Sequence, residues 1–139
     1  MTRCIITAQL TLIGVLVLTT AASALGSDPA QIERGRYLVE CVGMCADCHS
    51  PRNPNGEFDR SQWLQGELIG FKPDHPMPFA AIAPPIAGLP GYATDALALR
   101  FLETGTNALG KFALAPMPRF RFNHEDAQAV VAYLRSLKH

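Results

Sequence analysis

The sequence predicts an all-α domain with three main helices. Apolar residues recur at helical spacing in three stretches, each with its own start and stop signals, and no stretch alternates polar and apolar as a half-buried strand would. Long loops join the helices, and the chain holds 11 Pro and 11 Gly, most of them in those loops. So much ordered loop around so few helices leaves a small core, and a compact domain of this kind needs something large and apolar inside it.

The 139 residues suit one domain. Lys and Arg total 12 against 12 Asp and Glu. That balance gives no basic face for nucleic acid and no polyanionic tail. Hydrophobic residues make up 48%, a share raised by the first two dozen positions.

Those first positions read as a targeting signal. Arg3 is a short positive region, Ile5–Leu18 is mostly apolar, and Ala22-Ser23-Ala24 gives the small-x-small pattern read by signal peptidase. Residues 1–24 are expected to be a signal peptide cleaved after Ala24, with residues 25–139 as the mature domain and the periplasm as destination. Uncleaved, the segment would be a membrane anchor, but its apolar run falls short of the ~20 residues a spanning helix needs. Cys4 leaves with the signal.

The first helix follows Ser27-Asp28-Pro29. Asp28 is placed to cap it and Pro29 suits its first position. Ile32, Gly35, Leu38 and Val39 then share one face. A second helix begins at Thr94-Asp95, shows Leu97, Phe101 and Leu102 on its apolar side and stops at Gly105. The third begins at Asn123, with Glu125 and Asp126 at the positive end of its dipole. Ala127, Val130, Val131, Leu134 and Leu137 repeat at 3/4 spacing, and Arg135, Lys138 and His139 favour its negative end.

Three of the four cysteines, Cys41, Cys45 and Cys48, lie within eight residues. They look like a site and not a spread disulfide framework, and outside the cytoplasm such thiols persist only when bonded to something. Cys45-Ala46-Asp47-Cys48-His49 is C-x-x-C-H, the haem c attachment pattern. Two thiols three positions apart can each form a thioether to one of the two porphyrin vinyl groups, and His49 is then held under the iron as its proximal ligand. Covalent attachment also tolerates an exposed haem edge, which electron transfer to a partner requires.

Other uses of this pattern fit less well. No βαβ pattern surrounds it as in a thioredoxin-like pair, and no second ligand pair stands at zinc spacing. His75 and His124 stand alone and read as surface residues. Cys41-x3-Cys45-x2-Cys48 matches the cysteine spacing of radical-SAM iron–sulfur enzymes, but their barrel is far larger and their cluster is oxygen-sensitive. Cys41 is then left over. A buried, inert thiol at the end of the first helix is the favoured reading, and pairing with another chain is the alternative.

An electron carrier usually needs a sixth iron ligand, and Met raises the potential where His lowers it. Met44 lies within the attachment segment, on the His side of the iron. Met77, in His75-Pro76-Met77-Pro78, and Met117, in Ala115-Pro116-Met117-Pro118, are both stiffened by flanking prolines. Position separates them: Met117 is tied to the last helix, and Met77 lies in a loop of unassigned placement. The alternative role of Met117 is core filler. Arg119 and Arg121 are candidates for haem propionate partners or a docking rim, with a solvated loop as the equal alternative.

The sequence resembles a class I cytochrome c of the bacterial periplasmic, mono-haem type. It is similar to the cytochrome subunits that accept electrons from membrane-associated alcohol and sugar-acid dehydrogenases. The resemblance is carried by Gly35-Arg36-Tyr37-Leu38-Val39, by Cys48-His49-Ser50-Pro51-Arg52 and by Val130-Val131-Ala132-Tyr133-Leu134-Arg135-Ser136-Leu137. It implies a fold in which the first and last helices cross beside the haem, with Gly35 at the crossing and Tyr133 at the facing aromatic position. It also implies an axial Met shortly before the cap of the last helix, where Met117 stands. The chain departs from the dehydrogenase subunits in carrying one haem motif, and its loop from Arg52 to Pro85 follows no assigned pattern.

The expected function is single-electron transfer through one covalent haem c, ligated by His49 and Met117 and attached at Cys45 and Cys48. No catalytic constellation competes, so a carrier is expected and not an enzyme. The expected partners are redox proteins: a dehydrogenase or quinol-linked donor, and an oxidase or another cytochrome as acceptor. Nucleic acid is not expected, and a membrane only if the N-terminal segment is kept. Two alternatives stay open: a haem-based sensor or small peroxidase with a labile sixth ligand, and the electron-transfer subunit of a larger dehydrogenase.

Overall fold

The computed structural model describes residues 28–137. The predicted targeting segment, residues 1–24, lies outside them, as do Lys138 and His139. Helix α1 is Pro29–Tyr37, the one-turn α2 is Ala46–His49, α3 is Asp95–Thr104 and α4 is His124–Ser136. A 3-10 turn covers Arg60–Gln62. A two-stranded antiparallel sheet pairs β1 (Glu67–Leu68) with β2 (Ile82–Ala83), with Glu67 opposite Ala83 and Leu68 opposite Ile82. The domain is thus mostly helical, with a small sheet that no alternation in the sequence announces. No helix among the described residues is long and apolar enough to cross a membrane.

The starts of α1 and α4 form as their residues dictate. The Asp28 carboxylate accepts from the Ala30 N–H at 3.1 Å, and the Asn123 amide oxygen accepts from the Asp126 N–H at 2.8 Å. Thr94 precedes α3 with extended backbone, but its hydroxyl caps nothing. Gly105 ends α3 in the left-handed conformation, φ 71°.

α1 and α4 cross at Gly35. A Cβ there would overlap the Ala129 carbonyl oxygen and lie 2.5 Å from its carbon and 2.8 Å from the Tyr133 Cβ. Only glycine lets the two backbones approach this closely. Leu38, Val39, Ala127, Val130, Val131 and Leu134 bury themselves around the crossing, with Ala98 and Leu102 of α3 against them. Tyr133 closes it: its hydroxyl donates to Glu40 Oε1 at 2.8 Å and accepts from Trp63 Nε1 at 3.2 Å. The Arg135 guanidinium ties the end of α4 to the 88–95 segment, donating to the carbonyls of Gly88 and Tyr92 and to Asp95.

α1 does not run straight into the cysteine segment. Leu38–Val42 forms a wide π turn, closed by Gly43 N–H to Leu38 O at 2.7 Å and Cys45 N–H to Val39 O at 3.0 Å. Such a turn shifts the helical register. After Val39 the chain rotates off the core, so Cys41 is exposed. The expectation of a buried Cys41 is corrected on that ground. Met44 follows with φ 47° and turns the chain into α2.

Candidate functional site

α2 is the short helix made by the C-x-x-C-H segment. Its closing bonds run from His49 N–H to Cys45 O at 2.9 Å and from Ser50 N–H to Ala46 O at 3.0 Å. Positions 45, 48 and 49 are spaced i, i+3, i+4, which places both thiols and the imidazole on one side of a single turn. Cys45 and Cys48 are partly buried free thiols, and His49 is buried. Burial pushes the Cys45 thiol up to about 11, so it is protonated at neutral pH.

His49 faces a cavity of about 520 Å³, within the range of small-molecule and cofactor pockets. Its walls are almost wholly apolar: Ile69 next to β1, Ile82 of β2, Pro84 to Ile86, Tyr92, Phe101 and the 113–117 segment, with Cys48 also on the wall. Met117 lies on this wall. A smaller apolar cavity of about 50 Å³ shares several of these residues, and Cys45 and Met117 both line it. The structure therefore places Cys48 and His49 on the larger cavity, Cys45 on the smaller, and Met117 on both.

The other sulfur candidates lie elsewhere. Met77 is 43% exposed and Met44 57% exposed, and neither lines the cavity. Arg119 stacks its guanidinium over the Phe112 ring at 3.7 Å, and Arg121 donates to the Phe120 carbonyl at 2.7 Å. Neither arginine lines the cavity; the contacts they make are to Phe112 and Phe120 of their own loop. His75 and His124 are exposed, as expected, and pair with Asp74 and Glu103. Among the described residues no three His, Cys, Asp or Glu side chains converge as a metal cage. The Cys41–Cys45–Cys48 iron–sulfur arrangement is thus not formed, since Cys41 points to solvent.

The donor set fits a haem. His49 Nδ1 stands 2.7 Å from the Pro84 carbonyl oxygen. A carbonyl only accepts, so Nδ1 carries the proton and Nε2 keeps its lone pair for a metal. Burial moves the His49 imidazole below its ordinary range, the Pro84 carbonyl opposing in part, so the ring is neutral when it must act as a ligand. Two thiols, one neutral imidazole and apolar walls suit a covalent haem, and a thioether is one of the further ligands its iron takes.

The Pro84 carbonyl was not legible in the sequence, because a backbone group has no residue-type signature. Trp63 and Leu64 carried no such signal either. Leu64 is wholly buried and adopts φ 57°.

No family model matches this chain. It is 36% identical over 104 residues to a protein of Cereibacter sphaeroides named diheme cytochrome c-type, covering 74% of this chain and 34% of the relative. It is 33% identical over 115 residues to the fructose dehydrogenase cytochrome subunit of Gluconobacter japonicus, covering 75% of this chain and 21% of the relative. Over 120 residues it is 32% identical to a nicotinate dehydrogenase subunit of Pseudomonas putida, covering 78% of this chain and 9% of the relative. The chain thus spans about a third or less of the curated relatives it matches. Its homologues are c-type cytochromes, among them a dehydrogenase cytochrome subunit, and they imply electron transfer by a covalently bound haem.

Proposed function

We propose that this chain is an exported, periplasmic c-type cytochrome of class I architecture, holding one haem and passing single electrons between redox proteins. The observation that carries this reading is the placement of His49 and Met117 on the walls of one apolar cavity beside Cys48, with His49 Nδ1 already held by the Pro84 carbonyl. One haem per chain is supported by the single C-x-x-C-H motif, Cys45 to His49. When bound, the haem supplies an iron that alternates between ferric and ferrous states.

The residues of this chain have distinct tasks around that group. Cys45 and Cys48 would anchor it through thioethers. His49 would give Nε2 to the iron, with Pro84 fixing the ring and its tautomer. Met117 would offer its soft thioether to the iron, a ligand type that favours the ferrous state. Ile69, Ile82, Tyr92 and Phe101 exclude water, which limits solvent rearrangement when the charge changes. The names of two relatives support a dehydrogenase as electron donor.

The test compares Met117→Ala with Met77→Ala in protein matured with haem-attachment machinery. Met117→Ala should keep the haem, lower the reduction potential, lose the Met–iron charge-transfer band and bind CO when reduced. Met77→Ala should match the native spectrum. The reverse pattern would move the sixth ligand to Met77. Rapid CO binding by the native reduced protein would favour a sensor or peroxidase with a labile sixth site.

A further inference from the structure

The Pro84 carbonyl belongs to a strap, residues 82–87, which pairs with β1 at its start and is held beyond that by the adjoining segment Leu64–Gly66. The Leu64 carbonyl accepts from the Ile86 N–H at 2.9 Å and the Ala87 N–H at 3.1 Å. Gly66 is fitted against the strap: a Cβ there would stand 2.7 Å from the Ala83 oxygen, 2.9 Å from the Pro85 nitrogen and 3.0 Å from the Pro84 carbonyl carbon. Its φ of 89° lies in the region that favours glycine.

The same segment grips the histidine from the other side. The Gly66 N–H donates to the backbone oxygen of His49 at 2.8 Å. The Leu64 N–H donates to the Ser50 hydroxyl at 2.8 Å, and Ser50 is buried. Leu64–Gly66 therefore touches both ends of the His49–Pro84 hydrogen bond: the backbone that carries the imidazole and the backbone that carries its acceptor.

We propose that Ser50 and Gly66 are positioning residues for His49, acting through Leu64 and Pro84 to fix the length of the Nδ1–H···O bond and so the electron-donor strength of the ring. This rests on the reading of His49 as an iron ligand. A hydrogen bond from Nδ1 makes Nε2 a stronger donor, and a stronger donor favours the ferric state. Loosening the clamp therefore raises the reduction potential.

The experiment uses the full chain, exported and matured, in three forms: Ser50→Ala, Gly66→Ala and a control, Ser61→Ala. Ser61 lies in the same loop, but its hydroxyl bonds only Asp59. Two quantities are read: the midpoint potential and the proton resonance of His49 Nδ1–H in the reduced protein. Ser50→Ala and Gly66→Ala should retain covalent haem, raise the potential and move the resonance upfield, Gly66→Ala the more. Ser61→Ala should change neither. If Gly66→Ala fails to fold, Ser50→Ala carries the test alone. Native values of both quantities in the folded variants would overturn the proposal. Absence of covalent haem in the unaltered chain would instead overturn the iron-ligand reading, and this proposal with it.

Discussion

Two halves of the interior are built on different terms. At the α1–α4 crossing the chain satisfies itself: Gly35 admits the Ala129 backbone, and Leu38, Val39, Val130 and Val131 fill the space around it. Across the other half, the 80–92 and 113–117 segments face one another over about 520 Å³ of apolar space. The helical half is closed by side chains apart from a cavity of about 50 Å³ that Leu38, Val39 and Val130 line. The loop half has walls whose apolar faces gain full burial only from a large guest. A small domain can therefore keep a stable frame and leave half its interior for a cofactor.

The largest expected effect breaks the self-sufficient half. Gly35→Ala forces the α1 and α4 backbones apart and should cost about 3 kcal/mol or prevent folding, read by urea denaturation of the haem-loaded protein. Next comes removal of the guest. Chain produced without haem attachment should lose amide protection at Ala80, Ile86 and Met117 first, while Val130 and Val131 keep theirs, as hydrogen exchange would show. Equal loss in both regions would contradict the division.

Tyr133→Phe removes the links to Glu40 and Trp63 and should cost about 1–2 kcal/mol. It also has a pH signature. Burial pushes the Tyr133 phenol up to about 12 from its ordinary 10. Its folded value therefore exceeds its unfolded one, so its contribution is complete below pH 10 and is lost as pH rises towards 12. The variant should show a shallower alkaline loss of stability, with Tyr92, also raised to about 12 by burial, keeping its own share. The smallest effect is at a helix end: Asn123→Ala should cost about 1 kcal/mol, read as a lowered denaturation midpoint.

The self-sufficient half was also the legible half. Asp28, Pro29 and Asn123 mark helix starts by residue type, and the 3/4 repeat from Ala127 to Leu134 gives the buried face of α4. The attachment segment was legible because Cys45, Cys48 and His49 are chemically distinctive. The loop half was less so. β1 and β2 are two residues each, too short for alternation to register. The Pro84 carbonyl and the left-handed Leu64 depend on backbone course. Cys41 is exposed beside the π turn at Leu38–Val42; cysteine is tolerated both inside and outside, so its residue type carries no sign of which. Position before Asn123 favours Met117 over Met77, and Met117 lines the cavity where Met77 does not.

The most direct test of the central claim is a pyridine haemochrome spectrum on the exported, matured protein, with haem counted per chain and the haem-bearing peptide weighed. The account predicts a c-type α-band, haem retained after acid–acetone extraction, one haem per chain, and its mass on the peptide that contains Cys45 and Cys48. Haem that extracts freely, or no haem in cells competent to attach it, would contradict it.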